Sequence, residues 1–299
     1  MLIRKILIGL ALLPVLTACN QHDDWLDEAD ESAAPVFYAQ TDALEGNNRT
    51  LMDENRNILW QKGDEVSIFN MSTYPERYIL KTGEGTTNAS FEAVKGDDGF
   101  HSGNEISHNV AVYPYSAEHV IKNGKLEGVN VIAYELDGIS IPNTQQYAAG
   151  SFHTGLYPMV ALTINKSLSF KNVCGMLKLQ LKGTAKVSSI SVKGGNDEIL
   201  AGKGKAMLMF DNPLPQLTMT STDEINKQVK LDCGTEGVQL SDQATPFFIT
   251  LPPTDFKQGF TVTVTLTDGT VKTFKANASA ANKISRNMVL VMPALTVNC

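Results

Sequence analysis

The sequence predicts an all-β protein made of two tandem β-sandwich domains that follow a lipoprotein signal peptide. Short runs of alternating apolar residues recur along the chain, and clusters of Gly, Asn and Asp separate them. No long, capped stretch has the 3.6-residue apolar period of a helix, and 299 residues are enough for two such domains. We place the signal peptide at 1–18, an acidic tether at 19–34, and the domains at 35–165 and 166–299.

The first nineteen residues have the three parts of a secretory signal. Arg4 and Lys5 supply positive charge, residues 6–15 are apolar, and the small residue Ala18 precedes Cys19. A cysteine at that place is typical of a lipoprotein signal, in which the chain is cut before the cysteine and the cysteine carries lipid. We therefore predict lipidation at Cys19. The alternative is an ordinary secretion signal with a coincidental cysteine.

The segment that follows is polar and acidic, which indicates a flexible tether. Within it, residues 21–24 resemble the acidic export signals of lipoproteins on the outer face of the outer membrane. We therefore expect a lipid-anchored protein exposed on the cell outer membrane. The formal net charge is −7, and losing Arg4 and Lys5 with the signal lowers it by two more charges. Nucleic acid is excluded as a partner on this ground.

In the first half of the chain, residues 35–41 predict a first short strand. A polar stretch follows, and the pair Gly63-Asp64 then predicts a turn into a strand with Val66 and Ile68 on one face. Further short strands are predicted at 78–81, 89–94 and 109–115.

In the second half, the clearest strand is 260–267, where apolar residues alternate with four threonines. Asp268-Gly269 predicts a hairpin turn into 270–275. Pro252-Pro253 ends a strand predicted at 246–251, because proline cannot donate to a ladder. Other strands are predicted at 170–181, 190–193 and 206–210.

No catalytic, cofactor-binding or metal-binding residues are predicted, and we do not expect an enzyme. The chain lacks the nucleophile elbow, the His-Glu-x-x-His motif and the phosphate loop. The stretch 202–205 is interpreted as a surface turn, 97–99 as another turn, and the five histidines are scattered. Paired carboxylates for glycoside hydrolysis meet only in space, so the sequence leaves them open.

Three cysteines remain beyond Cys19, and an odd number cannot form a complete set of intramolecular disulfides. Cys174 lies in an apolar run and is interpreted as a small buried residue. A bridge between Cys174 and Cys233 is the alternative. Cys299 is expected to be free.

Several of these segments, in this order, resemble the fimbrillin family of type V pilins and their lipoprotein relatives. The segments that carry the resemblance span nearly the whole mature chain: Arg49-Thr50, 60–69 (Trp-Gln-Lys-Gly-Asp-Glu-Val-Ser-Ile-Phe), Val112-Tyr113-Pro114-Tyr115-Ser116, Gln145-Gln146-Tyr147, Pro158-Met159-Val160-Ala161, Phe170 to Leu177, and Ile249-Thr250-Leu251-Pro252-Pro253.

The resemblance implies two transthyretin-like sandwiches and assembly by strand exchange with other pilin subunits. A protease would cut after Arg49, with Arg56 as a nearby competitor, and the first strand at 35–41 would leave. A carboxy-terminal strand of a neighbouring subunit would fill the groove. The candidate donor is 286–297, with the apolar side chains at 289, 291, 295 and 297 on one side. The alternative is a last strand that pairs within its own domain.

The leading hypothesis is a structural or accessory subunit of a surface fimbria that takes part in adhesion to a host or bacterial surface ligand. After processing, the protein would be part of the fimbrium. The alternative is a non-polymerising outer-membrane lipoprotein that binds glycan. Exposed aromatic residues commonly form such sites, and Trp25 and Trp60 are the only tryptophans.

Overall fold

The structure is a computed structural model, and it describes residues 35–44, 58–94, 104–124, 132–212 and 214–298. Within these ranges the chain forms 25 strands, one short 3-10 helix at Glu224–Lys227 and no α-helix. The all-β prediction is therefore confirmed. Nothing in the described ranges is a helix with the length and apolar character needed to cross a membrane.

The strands are short, as the spacing of turn residues predicts. In chain order they are β1 (Val36–Gln40), β2 (Glu65–Phe69), β3 (Glu76–Thr82), β4 (Asn88–Ala93), β5 (Asn109–Tyr113), β6 (Val120–Asn123), β7 (Ala133–Ile141), β8 (Thr144–Ala148), β9 (Ser151–Phe152), β10 (Met159–Thr163), β11 (Ser167–Ser169), β12 (Lys171–Asn172), β13 (Gly175–Lys182), β14 (Lys186–Gly194), β15 (Gly202–Met209), β16 (Gln216–Met219), β17 (Gln228–Asp232), β18 (Val238–Gln239), β19 (Thr245–Leu251), β20 (Thr254–Asp255), β21 (Phe260–Leu266), β22 (Val271–Ala276), β23 (Lys283–Ile284), β24 (Val289–Val291) and β25 (Leu295–Thr296).

A first apolar core lies between an eight-stranded and a four-stranded sheet. The larger sheet has the order β11-β1-β4-β3-β2-β5-β10-β12, and the smaller has the order β16-β15-β7-β6. Trp60 is the largest fully buried side chain of this core, and its ring meets Phe91, Tyr113 and Phe170 edge-on at centroid distances of 5.0 to 5.4 Å. Leu136 and Leu208, from the smaller sheet, belong to the same buried cluster.

The two ends of the eight-stranded sheet are consecutive pieces of chain. β11 pairs with β1 and β12 pairs with β10, and Phe170 alone separates β11 from β12. The sheet therefore curls until its first and last strands meet at this one segment.

A second core lies between two further sheets. One has the order β22-β21-β14-β17-β8-β9, with β18 also on β14, and the other has the order β19-β13-β24, with β25 also on β13. Leu177 and Leu179 from β13 are buried together with Val262 and Val264 from β21. β20 and β23 form a separate two-stranded sheet.

Strands from both halves of the chain contribute to each core. β15 and β16 follow residue 165, yet β15 pairs with β7 in the first core. β8 precedes residue 165, yet it pairs in parallel with β17 in the second core. The division into domains 35–165 and 166–299 stays a prediction. Strand pairing crosses the predicted boundary in both directions, because β15 pairs with β7 and β8 pairs with β17.

The strand with the clearest alternation forms as predicted. Phe260, Val262, Val264 and Leu266 are buried, and the threonines between them are partly exposed. The predicted hairpin with β22 is also present, with Gly269 in the left-handed region at φ +86°. The Asp268 carboxylate accepts a hydrogen bond from the Thr270 N–H at 2.8 Å, which closes the turn.

Two local predictions are wrong. Residues 202–205 are the start of β15 and not a surface turn, because Gly202 and Gly204 pair with Ile141 and Ile139 of β7. The apolar run 170–181 is two strands and not one, since residues 173 and 174 separate β12 from β13 and these strands belong to different sheets. Residues 97–99, interpreted as a turn, lie outside the described residues.

Candidate functional site: the first and last strands

The first strand, β1, is inserted between two neighbours. It pairs antiparallel with β4 over five positions, from Val36 opposite Glu92 to Gln40 opposite Asn88. On its other side it pairs in parallel with β11, with Tyr38 opposite Ser167. The predicted strand at 35–41 is therefore confirmed, and it lies inside the sheet and not at a free edge.

Further backbone hydrogen bonds hold β1 on both sides. The Tyr38 N–H donates to the Lys166 carbonyl at 2.8 Å, and the Phe170 N–H donates to the Gln40 carbonyl at 2.8 Å. At the end of the strand, the Thr41 N–H donates to the Thr87 carbonyl at 3.0 Å. Loss of β1 would therefore leave unpaired backbone groups on two strands at once.

Side chains of β1 alternate between the core and the solvent. Phe37 is fully buried and its ring meets Tyr78 edge-on at 5.4 Å, and Ala39 is also buried. Tyr38 points outward and is 62% exposed. The space that β1 fills is therefore an apolar slot with pairing groups along both sides, which is what strand addition requires.

The residues directly after β1 are also anchored. Thr41 Oγ1 donates to the Ile58 carbonyl at 2.7 Å, and Leu44 is buried in the first core. Asp42 and Ala43 contact distant parts of the chain, as described below. Arg49 and its competitor Arg56 lie outside the described residues, as does Cys19.

The carboxy-terminal segment pairs within its own chain. Val289, Leu290 and Val291 lie opposite residues 176–178 of β13, and Leu295 and Thr296 lie opposite residues 181 and 182, both in parallel. The Met292 N–H donates to the Lys178 carbonyl at 2.9 Å. In this structure the segment pairs with β13 of its own chain, and in that arrangement it is not donated to a neighbouring subunit.

The prediction that the apolar side chains of this segment all lie on one side is wrong. Leu290 and Met292 pack against the second core, and so do Leu295 and Val297, whereas Val289 packs against the first core. The alternation shifts by one residue at Pro293-Ala294, where the segment leaves the ladder between β24 and β25. Proline has no N–H to donate, so a break at this point is expected.

Glycines at both ends of β13 lie directly against this segment. A Cβ on Gly175 would come within 2.3 Å of the Ser285 carbonyl oxygen, and one on Gly183 within 2.1 Å of the Val297 carbonyl oxygen. Only glycine permits such a close backbone approach. The last strand is therefore closely fitted to β13 at both ends.

The start of the carboxy-terminal segment contacts the residues after β1. Asn287 Nδ2 donates to the Ala43 carbonyl at 2.8 Å. The Asp42 carboxylate lies 3.3 Å from Lys171 Nζ and 3.7 Å from Arg286 Nη1. No motif in the sequence indicates these contacts, because 244 residues separate Asn287 from Ala43.

The remaining candidate side chains have structural positions. Cys174 is buried and Cys233 is partly buried, and both are free thiols, so the alternative bridge between them is not formed. Burial raises the pKa of Cys233 to about 12. Among the described residues, no three His, Cys, Asp or Glu side chains are placed to hold a metal ion.

Comparisons with known proteins give structural likenesses at low sequence identity. No family model matches the chain, and no curated protein matches it. A candidate cell adhesion protein from Bacteroides uniformis has a TM-score of 0.46 and 14% identity, covering 89% of this chain and 94% of its own. A second, from Bacteroides fragilis, has a TM-score of 0.42 and 12% identity, covering 89% and 92%.

A third solved structure is the tip fimbrial protein Mfa3 from Porphyromonas gingivalis with a C-terminal truncation. It has a TM-score of 0.27 and 10% identity, covering 81% of each chain. These values do not assign the chain to a family.

Proposed function

We propose that this protein is a structural or accessory subunit of a cell-surface fimbria, assembled by strand exchange and involved in adhesion. The resemblance of its ordered segments to fimbrillins supports the proposal. The structural observation that carries it is the placement of β1. The first strand of the described chain fills an apolar slot between β4 and β11, and the stretch that contains Arg49 follows it.

The slot provides both elements that an incoming strand needs. Backbone groups on β4 and β11 would give register, and the cavity left by Phe37 would give affinity for one large apolar side chain. Burying such a side chain contributes about 1.5–3 kcal/mol. An empty slot would be strongly destabilising, so cutting the chain would favour its refilling by another strand.

The proposed donor is the segment 286–297. It pairs with β13 through two short pieces of three and two residues, which Pro293-Ala294 separate. Among the described residues, β24 is an edge strand of its sheet, so its release breaks pairing on one side only. These features limit the backbone pairing that is lost on release, and the larger cost is the exposure of Leu290, Leu295 and Val297, which pack in the second core.

The lipid at Cys19 remains part of the proposal. It would anchor the subunit to the cell outer membrane until a cut at Arg49 frees the chain from its anchor. The proposed partners are other pilin subunits, the outer membrane through this lipid, and a surface ligand. A subunit that is not cut would stay at the membrane, which fits an accessory role.

The proposal is tested by proteolysis of the purified chain. We expect a trypsin-like protease to cut after Arg49, release the preceding residues and produce SDS-resistant ladders. The double variant Arg49→Gln/Arg56→Gln should remain monomeric, because neither arginine after β1 is left to cut, and Arg56→Gln alone should assemble like the parent chain. Cleaved protein that stays monomeric at high concentration would contradict assembly by strand exchange.

The glycan-binding alternative gains no support from the described tryptophan. Trp60 is 1% exposed and belongs to the first core, so it cannot form a sugar platform. Binding of the uncleaved monomer on a glycan array would nevertheless favour that alternative over the fimbrial proposal.

A further inference from the structure

The residues after β1 and the residues before β24 form one polar cluster, which we call the latch: Asp42, Ala43, Lys171, Asn172, Arg286 and Asn287. Asn172 and Asn287 are 0% and 1% exposed. The latch joins the exit of the first strand to the entry of the last strand, although these lie at opposite ends of the described chain.

Asn287 is the central residue of the latch. Its Nδ2 donates to the Ala43 carbonyl at 2.8 Å, its Oδ1 accepts from Asn172 Nδ2, and its backbone N–H donates to the Cys174 carbonyl at 2.8 Å. Its backbone is in the left-handed region at φ +61°, which asparagine adopts more readily than most residues. The turn that leads into β24 therefore depends on the side chain and backbone of one buried residue.

Asp42 supplies a carboxylate between the two cations of the latch. It lies between Lys171 and Arg286, at 3.3 Å and 3.7 Å, and the side chains of all three are less than 30% exposed. Arg286 Nη1 also donates to the Asn172 carbonyl at 3.0 Å. Without Asp42, two cations would remain close together with no carboxylate between them.

Removal of residues 42 and 43 would thus weaken the turn at 285–288. The buried Nδ2 of Asn287 would lose its acceptor, and a buried donor without a partner is costly. The same turn places the Met288 carbonyl to accept from the Met176 N–H at 2.9 Å, next to the first paired residue of β24. Loss of the latch would therefore weaken the pairing between β13 and the start of β24.

We propose that the latch couples the two strands, so that departure of β1 loosens β24 and β25 from β13. This inference rests on the proposed function, in which a cut at Arg49 removes residues 42 and 43 together with β1. A chain that has become an acceptor then also becomes a donor, and an uncut chain keeps its last strand closed. Coupling of this kind is reciprocal, so loosening the last strand also loosens β1.

The test is amide hydrogen exchange on the uncut, monomeric chain, with three single variants. Asp42→Asn removes the charge at constant size. Asn287→Gly keeps the left-handed backbone and removes the side-chain amide. Asp137→Asn is the matched control, since Asp137 forms an ion pair with Lys122 at 3.1 Å outside the latch.

We expect Asp42→Asn and Asn287→Gly to raise exchange in 289–297 by about threefold to tenfold, the effect of losing about one net hydrogen bond. Asn287→Gly should also raise exchange in 36–40. Exchange in β21 should not change in either variant, and Asp137→Asn should leave all three regions as in the parent chain.

Unchanged exchange in 289–297 would overturn the latch, and so would an equal rise in β21, which would indicate general destabilisation. A rise in 289–297 for Asn287→Gly with no rise in 36–40 would overturn the coupling. Because no protease is used, these outcomes are independent of whether cleavage produces polymers, which tests the proposed function separately.

Discussion

His119 is a buried histidine whose ring nitrogen Nδ1 lies 2.8 Å from Ser67 Oγ. Both side chains are buried and at most 4% exposed. Burial lowers the pKa of His119 to about 4, although the charge of neighbouring Glu118 acts in the opposite direction. The folded protein therefore keeps this ring neutral at pH values where an unfolded chain would protonate it.

We predict that His119 makes the protein less stable as the pH falls from about 6.5 to about 4. In that window the unfolded state binds a proton at His119 that the folded state does not, so the free energy of unfolding decreases. Between pH 7 and pH 5 the loss should be about 2 kcal/mol, measured by urea denaturation. Below about pH 4 both states are protonated and this contribution stops changing.

The variants for this test are His119→Gln and, as a control, the exposed His153→Gln. The parent chain and the control should share one pH dependence, and His119→Gln should lose part of it. The pKa of His108 is also lowered by burial and that of Asp64 is raised by burial, so a residual dependence is expected. Identical pH dependence in all three proteins would contradict the prediction.

Phe37 and Tyr38 are neighbours on β1, and Phe37 faces the core whereas Tyr38 faces the solvent. Substituting each in turn therefore measures how much core packing on the buried side of β1 contributes to stability. Phe37→Ala should lower the free energy of unfolding by about 3–5 kcal/mol, because it leaves a cavity in the first core. Tyr38→Ala should cost no more than about 1 kcal/mol, since its ring is mostly in solvent. Chemical denaturation of both variants measures the difference, and equal losses would mean that β1 does not face the core as described.

Several strands could be predicted because their pattern is local. The alternation at 260–266 and the Asp268-Gly269 turn carry their own signals, and both strands of that hairpin form. The start of β15 could not be predicted, because Gly and Lys at 202–205 have the composition of a turn whereas pairing with β7 decides their conformation. The shift of facing at Pro293 departs from the predicted constant alternation, because a proline cannot donate to the ladder and interrupts the strand.

Of the candidate site, the first strand was predictable and its neighbours were not. Residues 35–41 are a short run with strand-forming Val36, Phe37 and Tyr38, but nothing nearby in the sequence indicates that β11 pairs with β1. The latch was also invisible, since Asp42 and Arg286 are far apart in the sequence. Pairing between distant segments depends on the whole fold, and a single sequence shows only local periods.

For the whole protein, lipidation at Cys19 predicts membrane association that a single change removes. Cys19→Ala should move the protein from the membrane pellet to the soluble fraction, because no acyl chains would remain to anchor it. Cys233→Ala is the matched control: it removes a partly buried thiol and should leave fractionation unchanged. Fractionation of cells expressing each variant, with labelled fatty acid, provides the measurement. Cys19→Ala protein that stays in the pellet without label would contradict lipid anchoring.

The curled eight-stranded sheet limits each subunit of the proposed assembly to one incoming strand. β1 has a partner on each side, so its departure leaves a gap between β4 and β11 of two strand spacings, about 10 Å. One extended strand fits this gap, and a second strand has no room beside it. With one gap and one carboxy-terminal segment per subunit, growth would proceed head to tail, giving unbranched filaments with a defined polarity.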